Sequence, residues 1–386
     1  MSQKRNLFLI CFFILTIISY SHATTQNGGR GLIYTHSARV IPKGYLQFYS
    51  GTRFFGKVAS FGGEQDAFTL WTVKGYTSFN YGINSHLELA FSPVFYLDTN
   101  RGGGGFNKES VNFPDDFFIS FKLASFHQLE SPFFFGGMVY TRIPIADKHN
   151  IIYEPYSAGT LEIGVSGLFS YYSNVTFPDE SWSFHANIGY LNHNDAGEEI
   201  SKIQDAPTPE SMTSELLLNL GALFPAGNFD FSTELSFRNF LTKPSVSAYS
   251  MESVSYLTAG IYYKPYKWIT VEMGVDLRLF SGEDESDYSV TPTPKPNLDF
   301  PNYPGWRGIL GVKLALLPGS LYAKTDKAEL QEKITDRQEI LERMMRGQES
   351  TDNAEEEIAR IRAEREQVEA ELKRLRQLLE GEKKDD

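Results

Sequence analysis

The sequence contains almost no cysteine. Its single cysteine, Cys11, lies in an apolar N-terminal stretch that we predict to be removed after export. A mature chain without cysteine forms no disulfide, no thiolate metal site and no thiol nucleophile. Glycine-rich phosphate loops, HExxH motifs and Cys/His clusters are also missing from the sequence, so we expect no metal and no cofactor.

Positive charge is scarce as well. The chain has 36 Lys and Arg residues against 48 Asp and Glu residues, which gives a net charge of −12. Nucleic-acid binding requires clustered Lys and Arg side chains that neutralise phosphates. The charge balance therefore excludes nucleic acid as an expected partner.

The only long apolar run of the sequence lies at its N-terminus. Lys4 and Arg5 precede this stretch, which covers residues 7–18, and residues 21–23 (Ser-His-Ala) place small side chains at the −3 and −1 positions of a cleavage site. We predict a secretory signal peptide at residues 1–23. No later run approaches the roughly 18 apolar residues of a membrane-spanning helix, although 41% of all residues are apolar. Such an exported chain either folds as a soluble β-protein or inserts into a membrane as a closed barrel.

The dominant pattern from residue 44 to residue 317 is a period of two. It is clearest in segments 161–171, 182–190, 229–240 and 269–280, where apolar side chains share one face and polar side chains the other. Such alternation indicates strands that meet an apolar phase on one side and water on the other. Weaker alternation completes a set of twelve predicted strands, near residues 44–55, 67–80, 86–96, 116–124, 133–143, 214–224, 254–263 and 306–317. Each has about ten residues or a little more, the length that a tilted strand needs to cross a bilayer.

The predicted connections alternate in length. Those that follow even-numbered strands are short, at residues 82–85, 125–131, 174–180, 225–228 and 265–267. Most of those that follow odd-numbered strands are longer and more polar, as at residues 98–115, 192–212 and 281–305. Outer-membrane barrels have short periplasmic turns and long external loops. We therefore predict an all-β transmembrane antiparallel barrel of about twelve strands at residues 44–317, surrounded by outer-membrane lipid, whose even strand number leaves the C-terminal tail in the periplasm.

Composition changes abruptly after the last predicted strand. From residue 324 onward about half of the residues are charged, and glycine and aromatic residues almost vanish. Apolar residues recur there at steps of four and three, interrupted at Arg365, and form a seam of Ile358, Ile361, Val368, Leu372, Leu375 and Leu379. This pattern predicts an α-helical coiled coil at residues 324–386, behind a linker at residues 318–323. Its seam requires a cover, either a hairpin with a shorter helix over 330–344, a second copy of the chain, or a periplasmic partner.

The water-facing side chains of the strands are candidates for the lining of a channel. They are Glu88, Lys122, Glu162, His185, Glu234, Arg238, Glu272, Asp276, Arg278 and Lys313, and they are joined by Arg53, Lys74 and Arg142 on strands that alternate less cleanly. One interpretation is a narrow polar channel that filters charge. The other is a set of cross-lumen ion pairs that fills the interior, since buried charges need partners in both cases.

Two groups of residues raise the question of hydrolysis. Ser183, His185 and Asn187 share one face of one strand, and a serine beside a histidine is the arrangement of a nucleophile with its base. That face points away from lipid, whereas a lipid-cleaving barrel needs its nucleophile at the lipid side. The pair His36-Ser37 is faintly similar to the His/Ser motif of outer-membrane phospholipase A but has no matching asparagine. We therefore expect no enzymatic activity.

The segment before the first strand carries a family resemblance. Residues 31–44 (GLIYTHSARVIPKG), which end a lead-in at 24–43, resemble the start of many Gram-negative outer-membrane β-barrel proteins, where a small-residue stretch and Pro-x-Gly precede the first strand. A porin-like barrel with an appendage behind it also resembles the OmpA-type plan. In that plan the appendage is a mixed α/β peptidoglycan-binding domain, whereas this tail is predicted to be purely helical. The resemblance implies an outer-membrane location and no particular substrate.

Three functional hypotheses follow. The first is a narrow passive outer-membrane channel for small polar solutes. The second is a structural outer-membrane anchor with a plugged barrel, whose periplasmic coiled coil self-associates or binds a partner. The third, more distant, is a barrel hydrolase.

Overall fold

A computed structural model describes residues 24–60, 67–102, 108–128, 131–201, 203–291, 302–318 and 354–381. The predicted signal peptide at 1–23 lies outside these residues. The chain separates into two compact units, one of residues 1–127 with 132–318 and one of residues 128–131 with 319–386.

The first unit is a single antiparallel sheet. Its thirteen described strands are β1 (Leu46–Ser60), β2 (Ala67–Gly82), β3 (Leu87–Gly102), β4 (Lys108–Asn112), β5 (Phe117–Phe126), β6 (Phe133–Ile143), β7 (Glu162–Tyr172), β8 (Ser183–Asn192), β9 (Ser214–Ala226), β10 (Phe229–Thr242), β11 (Val254–Tyr266), β12 (Ile269–Ser281) and β13 (Trp306–Leu317).

The sheet closes on itself through its first and last strands. Strand β1 pairs with β2 on one side and with β13 on the other, from Leu46 opposite Leu317 to Phe54 opposite Gly308. Strand β3 pairs with β5 over its first residues and with the short β4 over its last ones, so β4 and β5 complete one position in the wall. The result is a closed barrel with twelve positions, in which every described strand except the short β4 pairs with a neighbour on both sides. The predicted twelve-stranded antiparallel barrel is confirmed.

Several strands are longer than the apolar alternation indicates. The prediction for the first strand ends at residue 55, whereas β1 continues to Ser60 and pairs with β2 as far as Ala67. Strand β3 likewise runs to Gly102 rather than to residue 96. Both extensions lie at the end that carries the long loops, because backbone pairing continues past the point where one face stops being apolar.

The wall alternates between an apolar outer face and a polar inner face. In β8, Phe184, Ile188 and Tyr190 are exposed, whereas Ser183 and His185, at alternating positions, are buried inside the barrel. Large apolar side chains are exposed in the same way on the other strands of the wall. An outward apolar belt around a polar interior is the surface of a barrel that crosses a lipid bilayer.

The prediction of a C-terminal coiled coil is wrong. The structure has one described α-helix, α1 (Ala354–Gly381), and no second helix among the described residues lies against it. A heptad seam becomes a coiled coil only when another helix supplies the holes for its side chains. The predicted shorter helix over 330–344 falls outside the described residues. The part of the anchor hypothesis that depended on a coiled coil is therefore withdrawn.

The seam residues themselves have different environments within α1. Leu372 is buried, and Ile361 and Val368 are half-buried. The side chains of Ile358, Leu375 and Leu379 lie outside the described part. No helix in the described residues is both long and apolar enough to cross a membrane.

The apolar belt leads to a test with a matched control. Ile188 lies near the middle of β8 on the outer face and is 60% exposed. We expect Ile188→Arg to lower the free energy of unfolding in phospholipid vesicles by about 2–4 kcal/mol, because it places a charge near the bilayer midplane. Asn192→Arg, on the same face at the end of the same strand, should cost no more than about 1 kcal/mol. Equal losses for both variants, measured by urea titration, would contradict a membrane-facing belt.

Candidate channel lumen

The predicted lead-in folds into the barrel and fills part of it. Two backbone bridges within it, Thr24 with Arg30 and Gly31 with His36, shape residues 24–37 into a compact unit. Leu32 and Ile33 at its tip are fully buried. We call residues 24–41 the plug.

Glu234 of β10 binds the tip of the plug. Its Oε1 atom accepts a hydrogen bond from the backbone N–H of Ile33 at 2.8 Å. Its Oε2 atom accepts hydrogen bonds from the N–H groups of Tyr34 at 2.9 Å and Thr35 at 2.7 Å. Three consecutive amides that form no strand pairing are thus satisfied by one buried carboxylate, which requires charge-assisted bonds of this kind to offset its burial.

Glu88 and Lys122 form a second attachment near the end that carries the short turns. Glu88 is the second residue of β3, and it accepts hydrogen bonds from the backbone N–H groups of Arg30 at 2.8 Å and Ile41 at 2.7 Å. Lys122 Nζ donates to the carbonyl oxygen of Arg30 at 2.7 Å and lies 3.4 Å from Glu88 Oε1. The pair therefore satisfies both polar groups of the plug backbone at Arg30.

The amide of Asn187 makes a third attachment. It accepts a hydrogen bond from the N–H of His36 at 2.7 Å and donates one to the carbonyl oxygen of His36 at 2.8 Å. Ser170 Oγ accepts a hydrogen bond from the N–H of Ala38 at 2.8 Å. The wall thus presents side chains to the plug in the way that a neighbouring strand would present its backbone.

The turn of the plug depends on glycine. Gly28 and Gly29 have φ angles of +87° and +89°, a backbone conformation that glycine adopts without strain. A Cβ atom on Gly28 would also lie 2.8 Å from the Cβ of Ala90 in the wall. The turn can therefore approach the wall this closely only without side chains.

The opposite end of the barrel is covered by its long loops. Asn150, in the loop after β6, donates from Nδ2 to the carbonyl oxygens of Ile200 at 3.1 Å and Ser247 at 3.0 Å. Its Oδ1 atom accepts a hydrogen bond from the N–H of Tyr249 at 2.8 Å. One buried amide therefore joins the loops that follow β6, β8 and β10.

A cavity of about 290 Å³ lies between the plug and the loops. Gln26, Tyr34 and His36 of the plug line it on one side, and Pro155 and Tyr303 of the loops line it on the other. The wall contributes the cationic side chains of Arg53, Lys74, Arg142, Arg238 and Arg307, and one carboxylate, Glu162. We call this space the chamber.

A chain of alternating charges follows the wall beside the chamber. It runs in order through Asp116, Arg142, Glu162, His193, Glu215 and Arg238. His193, just beyond β8, lies 3.0 Å from Glu162 and 2.9 Å from Glu215 through its two ring nitrogens. Burial disfavours the imidazolium, but these two hydrogen bonds outweigh it and raise the pKa of His193 to about 9. A protonated His193 completes the alternation of sign.

The ten residues predicted as a channel lining all lie on barrel strands, and the structure divides them. Glu162 and Arg238 line the chamber. Glu88, Lys122 and Glu234 bind the plug instead. Their role in a channel stays a prediction.

The other five form local contacts. Lys313 Nζ lies 3.2 Å from Glu272 Oε2, and Asp276 accepts hydrogen bonds from Arg307 and, at 2.6 Å, from the hydroxyl of Tyr34. Arg278 donates to the carbonyl oxygen of Tyr303, and His185 bonds the hydroxyls of Ser170 and Ser183. Glu272 and Asp276 are therefore paired with cations of the adjacent strand β13, whereas Arg278 and His185 bond uncharged groups.

Sequence reasoning missed the plug, His193 and Glu215. The signal for the plug is the glycine-rich segment 28–31, which is followed at once by Leu32 and Ile33. A glycine turn next to two large apolar residues indicates a segment that is buried rather than exposed to water. His193 follows the last residue of β8, so the alternation that identified the strand gave it no role.

The two groups considered for hydrolysis do not assemble into a relay. His185 lies 3.0 Å from Ser183 Oγ and 2.7 Å from Ser170 Oγ, so a second hydroxyl rather than an orienting amide faces the imidazole. Asn187 bonds the plug. Ser37 Oγ bonds the hydroxyl of Tyr172 rather than a histidine.

The comparisons with known proteins give distant likenesses. No protein-family model and no curated protein sequence matches this chain. Among solved structures, it is similar to an outer-membrane channel from Pseudomonas putida F1 (10% identity, TM-score 0.43, covering 72% of this chain and 98% of that one). It is also similar to the NanC porin (12% identity, TM-score 0.40, 70% and 100%) and to the toluene transporter TbuX of Ralstonia pickettii (8% identity, TM-score 0.35, 77% and 96%). These likenesses are too distant to carry a statement about function.

The attachment at Glu234 yields one prediction. Glu234→Gln replaces one of the two carboxylate oxygens by an NH2 group. This group is itself a hydrogen-bond donor and cannot accept from the N–H groups of the plug. We expect the peptide covering residues 31–37 to lose about 1–3 kcal/mol of protection in hydrogen–deuterium exchange. Ser236→Ala, on the same strand and beside the chamber, serves as the control and should leave that peptide unchanged. Unchanged exchange in Glu234→Gln would show that the plug is fixed by other contacts.

His193 yields a prediction about pH. Because its pKa is raised to about 9 from 6.5, its contribution to stability is complete below pH 6.5 and is lost as the pH rises through 9. The difference in unfolding free energy between the natural protein and His193→Gln should therefore be largest below pH 6.5 and shrink toward pH 9. His86→Gln, which removes a histidine bonded to the carbonyl oxygen of Ala124, is the control. A difference that does not vary with pH would contradict a charged His193.

Proposed function

We propose that this protein is an outer-membrane channel for small polar solutes that its own plug holds closed. The observation that carries the proposal is the chamber, a polar space retained within a membrane-spanning wall. A barrel that serves only as an anchor does not require such a space. A smaller barrel of about eight strands, whose interior side chains can fill completely, would be sufficient.

The way in which the plug is attached supports its displacement. Within residues 24–37 the backbone bridges are internal, and the attachments to the wall come from side chains such as Glu234, Glu88 and Asn187. The first backbone bond to the wall is from the N–H of Ser125 to the carbonyl oxygen of Ala38, at 2.8 Å. Residues 24–37 can therefore leave the lumen without breaking any strand pairing of the wall.

The orientation of the barrel is part of the proposal. The strand ends Leu46 and Leu317 are paired with each other at the end that carries the short turns. In outer-membrane barrels the short turns face the periplasm. We infer that the plug enters from the periplasm and that the C-terminal tail is periplasmic, as the even strand number predicts.

A second candidate function is a structural anchor with a permanently plugged barrel. The observation that favours it is the cover at both ends of the chamber, formed by the plug and by the loops that Asn150 joins. Solute passage and anchorage differ in a measurable property, which is whether removal of the plug opens a conducting path.

The deciding experiment is single-channel recording in planar bilayers. We expect the natural protein to be mostly closed and a variant lacking residues 25–37 to show steady conductance, because the plug no longer occupies the lumen. Insertion of the variant is checked by its heat-modifiable migration in gels. A deleted variant that inserts but stays silent would reject the channel and support the anchor.

A reversible lock provides the matched control. A Cβ on Gly221 would lie 3.2 Å from the Cβ of Thr35, close to the separation that a disulfide spans. The mature chain is predicted to have no other cysteine. Oxidised Thr35→Cys/Gly221→Cys should therefore lack the openings of the natural protein and regain them with a reductant, and openings that persist in the oxidised form would exclude plug movement as the gate.

A further inference from the structure

The alternation of charge around the chamber breaks at one place. Arg307, Arg53 and Lys74 lie on the adjacent strands β13, β1 and β2. On one side Arg53 of β1 is directly opposite Lys74 of β2. On the other side it is opposite Ile309 of β13, which is two residues away from Arg307 on that strand. Like charges that face each other across strands destabilise a sheet unless something of opposite sign lies between them. We call these three residues the cationic arc.

Arg53 differs from its two neighbours in its partners. Arg307 lies 2.8 Å from Asp276, and Lys74 lies 3.4 Å from Asp115 and 3.9 Å from Glu154. The guanidinium of Arg53 makes no hydrogen bond and no ion pair within 4 Å with any residue that the structure describes, and the carboxylates of Glu154 and Asp276 act on it only from a greater distance. Its guanidinium carbon lies 5.6 Å from the centre of the Tyr76 ring, a cation–π contact that leaves the N–H donors of the guanidinium unused.

The pairs in which an arginine or a lysine lines the chamber share one arrangement. In each pair the cation keeps exposed surface, whereas the carboxylate is almost completely buried behind it. The exposed fractions of the two side chains are 22% and 0% for Arg238 and Glu215, 15% and 1% for Arg142 and Asp116, 13% and 3% for Lys74 and Asp115, and 11% and 0% for Arg307 and Asp276. The surface that a solute meets is therefore positive, although the chain as a whole carries a net charge of −12.

Aromatic rings lie beside the cationic arc. Tyr76 stacks under Arg53, and the Tyr256 ring centre lies 3.9 Å from the guanidinium carbon of Arg307. Both tyrosines line the chamber, as does Phe118. A flat apolar body can pack against such rings while a planar anionic group meets the guanidinium.

We propose that the chamber binds small organic carboxylates, with the carboxylate on Arg53 and the cationic arc completing the site. The guanidinium presents parallel N–H donors that match the two oxygens of a carboxylate. The proposal names the solute class for the channel and to that extent rests on the proposed function, but binding itself does not require conduction.

The test is calorimetric titration of the purified full-length barrel in detergent at constant ionic strength. Benzoate is the probe, and benzamide is its neutral counterpart of nearly equal shape. We expect benzoate to bind at least tenfold more tightly than benzamide, because only the carboxylate forms charge-assisted bonds with Arg53. Equal binding of the two probes, or no binding of either, would overturn the proposal.

Variants locate the site. Arg53→Gln should weaken benzoate binding at least tenfold and leave benzamide unchanged. Lys243→Gln removes a positive charge from an exposed loop pair with Glu285, away from the chamber, and should bind benzoate as the natural protein does. Benzoate binding that survives in Arg53→Gln would reject Arg53 as the anchor. Should that variant not fold, as judged by heat-modifiable migration, the comparison of benzoate with benzamide on the natural protein decides alone.

The outcomes separate this proposal from the channel itself. Arg53-dependent binding of benzoate to a barrel that stays silent after plug deletion would keep the site and reject the channel. Steady conductance of the plug-deleted barrel without any benzoate binding would keep the channel and reject the carboxylate site.

Discussion

Every part of this barrel depends on the need to pair backbone N–H and C=O groups where water is absent. The wall meets that need by closing β1 onto β13, which joins the twelve positions of the described wall into a ring. The plug meets the same need by another route. Its backbone runs across the lumen without a neighbouring strand, so Glu234, Glu88 and Asn187 of the wall supply the missing acceptors and donors. The same requirement thus shapes the outside of the molecule and its interior.

Those attachments also explain why the interior carries so many buried charges. A carboxylate such as Glu234 replaces its hydration with three amide donors, and Lys122 replaces part of its own with a carbonyl oxygen and Glu88. Buried charges that are paired and hydrogen-bonded in this manner are tolerated, whereas the loss of one partner is costly. The inner wall therefore combines two tasks, since the side chains that fix the plug also satisfy one another.

Around the chamber the charges are sorted by depth as well as by sign. Carboxylates such as Glu215 and Asp276 lie deep against the wall, and the longer arginine side chains extend past them toward the chamber. An arginine reaches farther than an aspartate or a glutamate from the same strand position, so pairing within a wall naturally presents the guanidinium to the lumen. A positive chamber inside an acidic protein follows from this difference in length.

The sequence by itself determined the barrel. The period of two in segments such as 182–190 and the alternation of short and long connections required twelve strands with one apolar face, because both signals are local and repeat along the chain. It also identified charges such as Glu234 and Arg238 as facing inward. The helical period after residue 324 was equally local, yet the coiled coil that it predicted is wrong. An apolar seam indicates that one face of a helix must be buried, and it does not identify what buries that face. Only the tertiary structure decided that the lead-in fills part of the lumen, that His193 joins two carboxylates, and that Arg53 has no carboxylate within ion-pair distance. Those facts depend on contacts inside a closed wall between residues some 20 to 200 positions apart. A pattern within a single strand contains no information about such contacts.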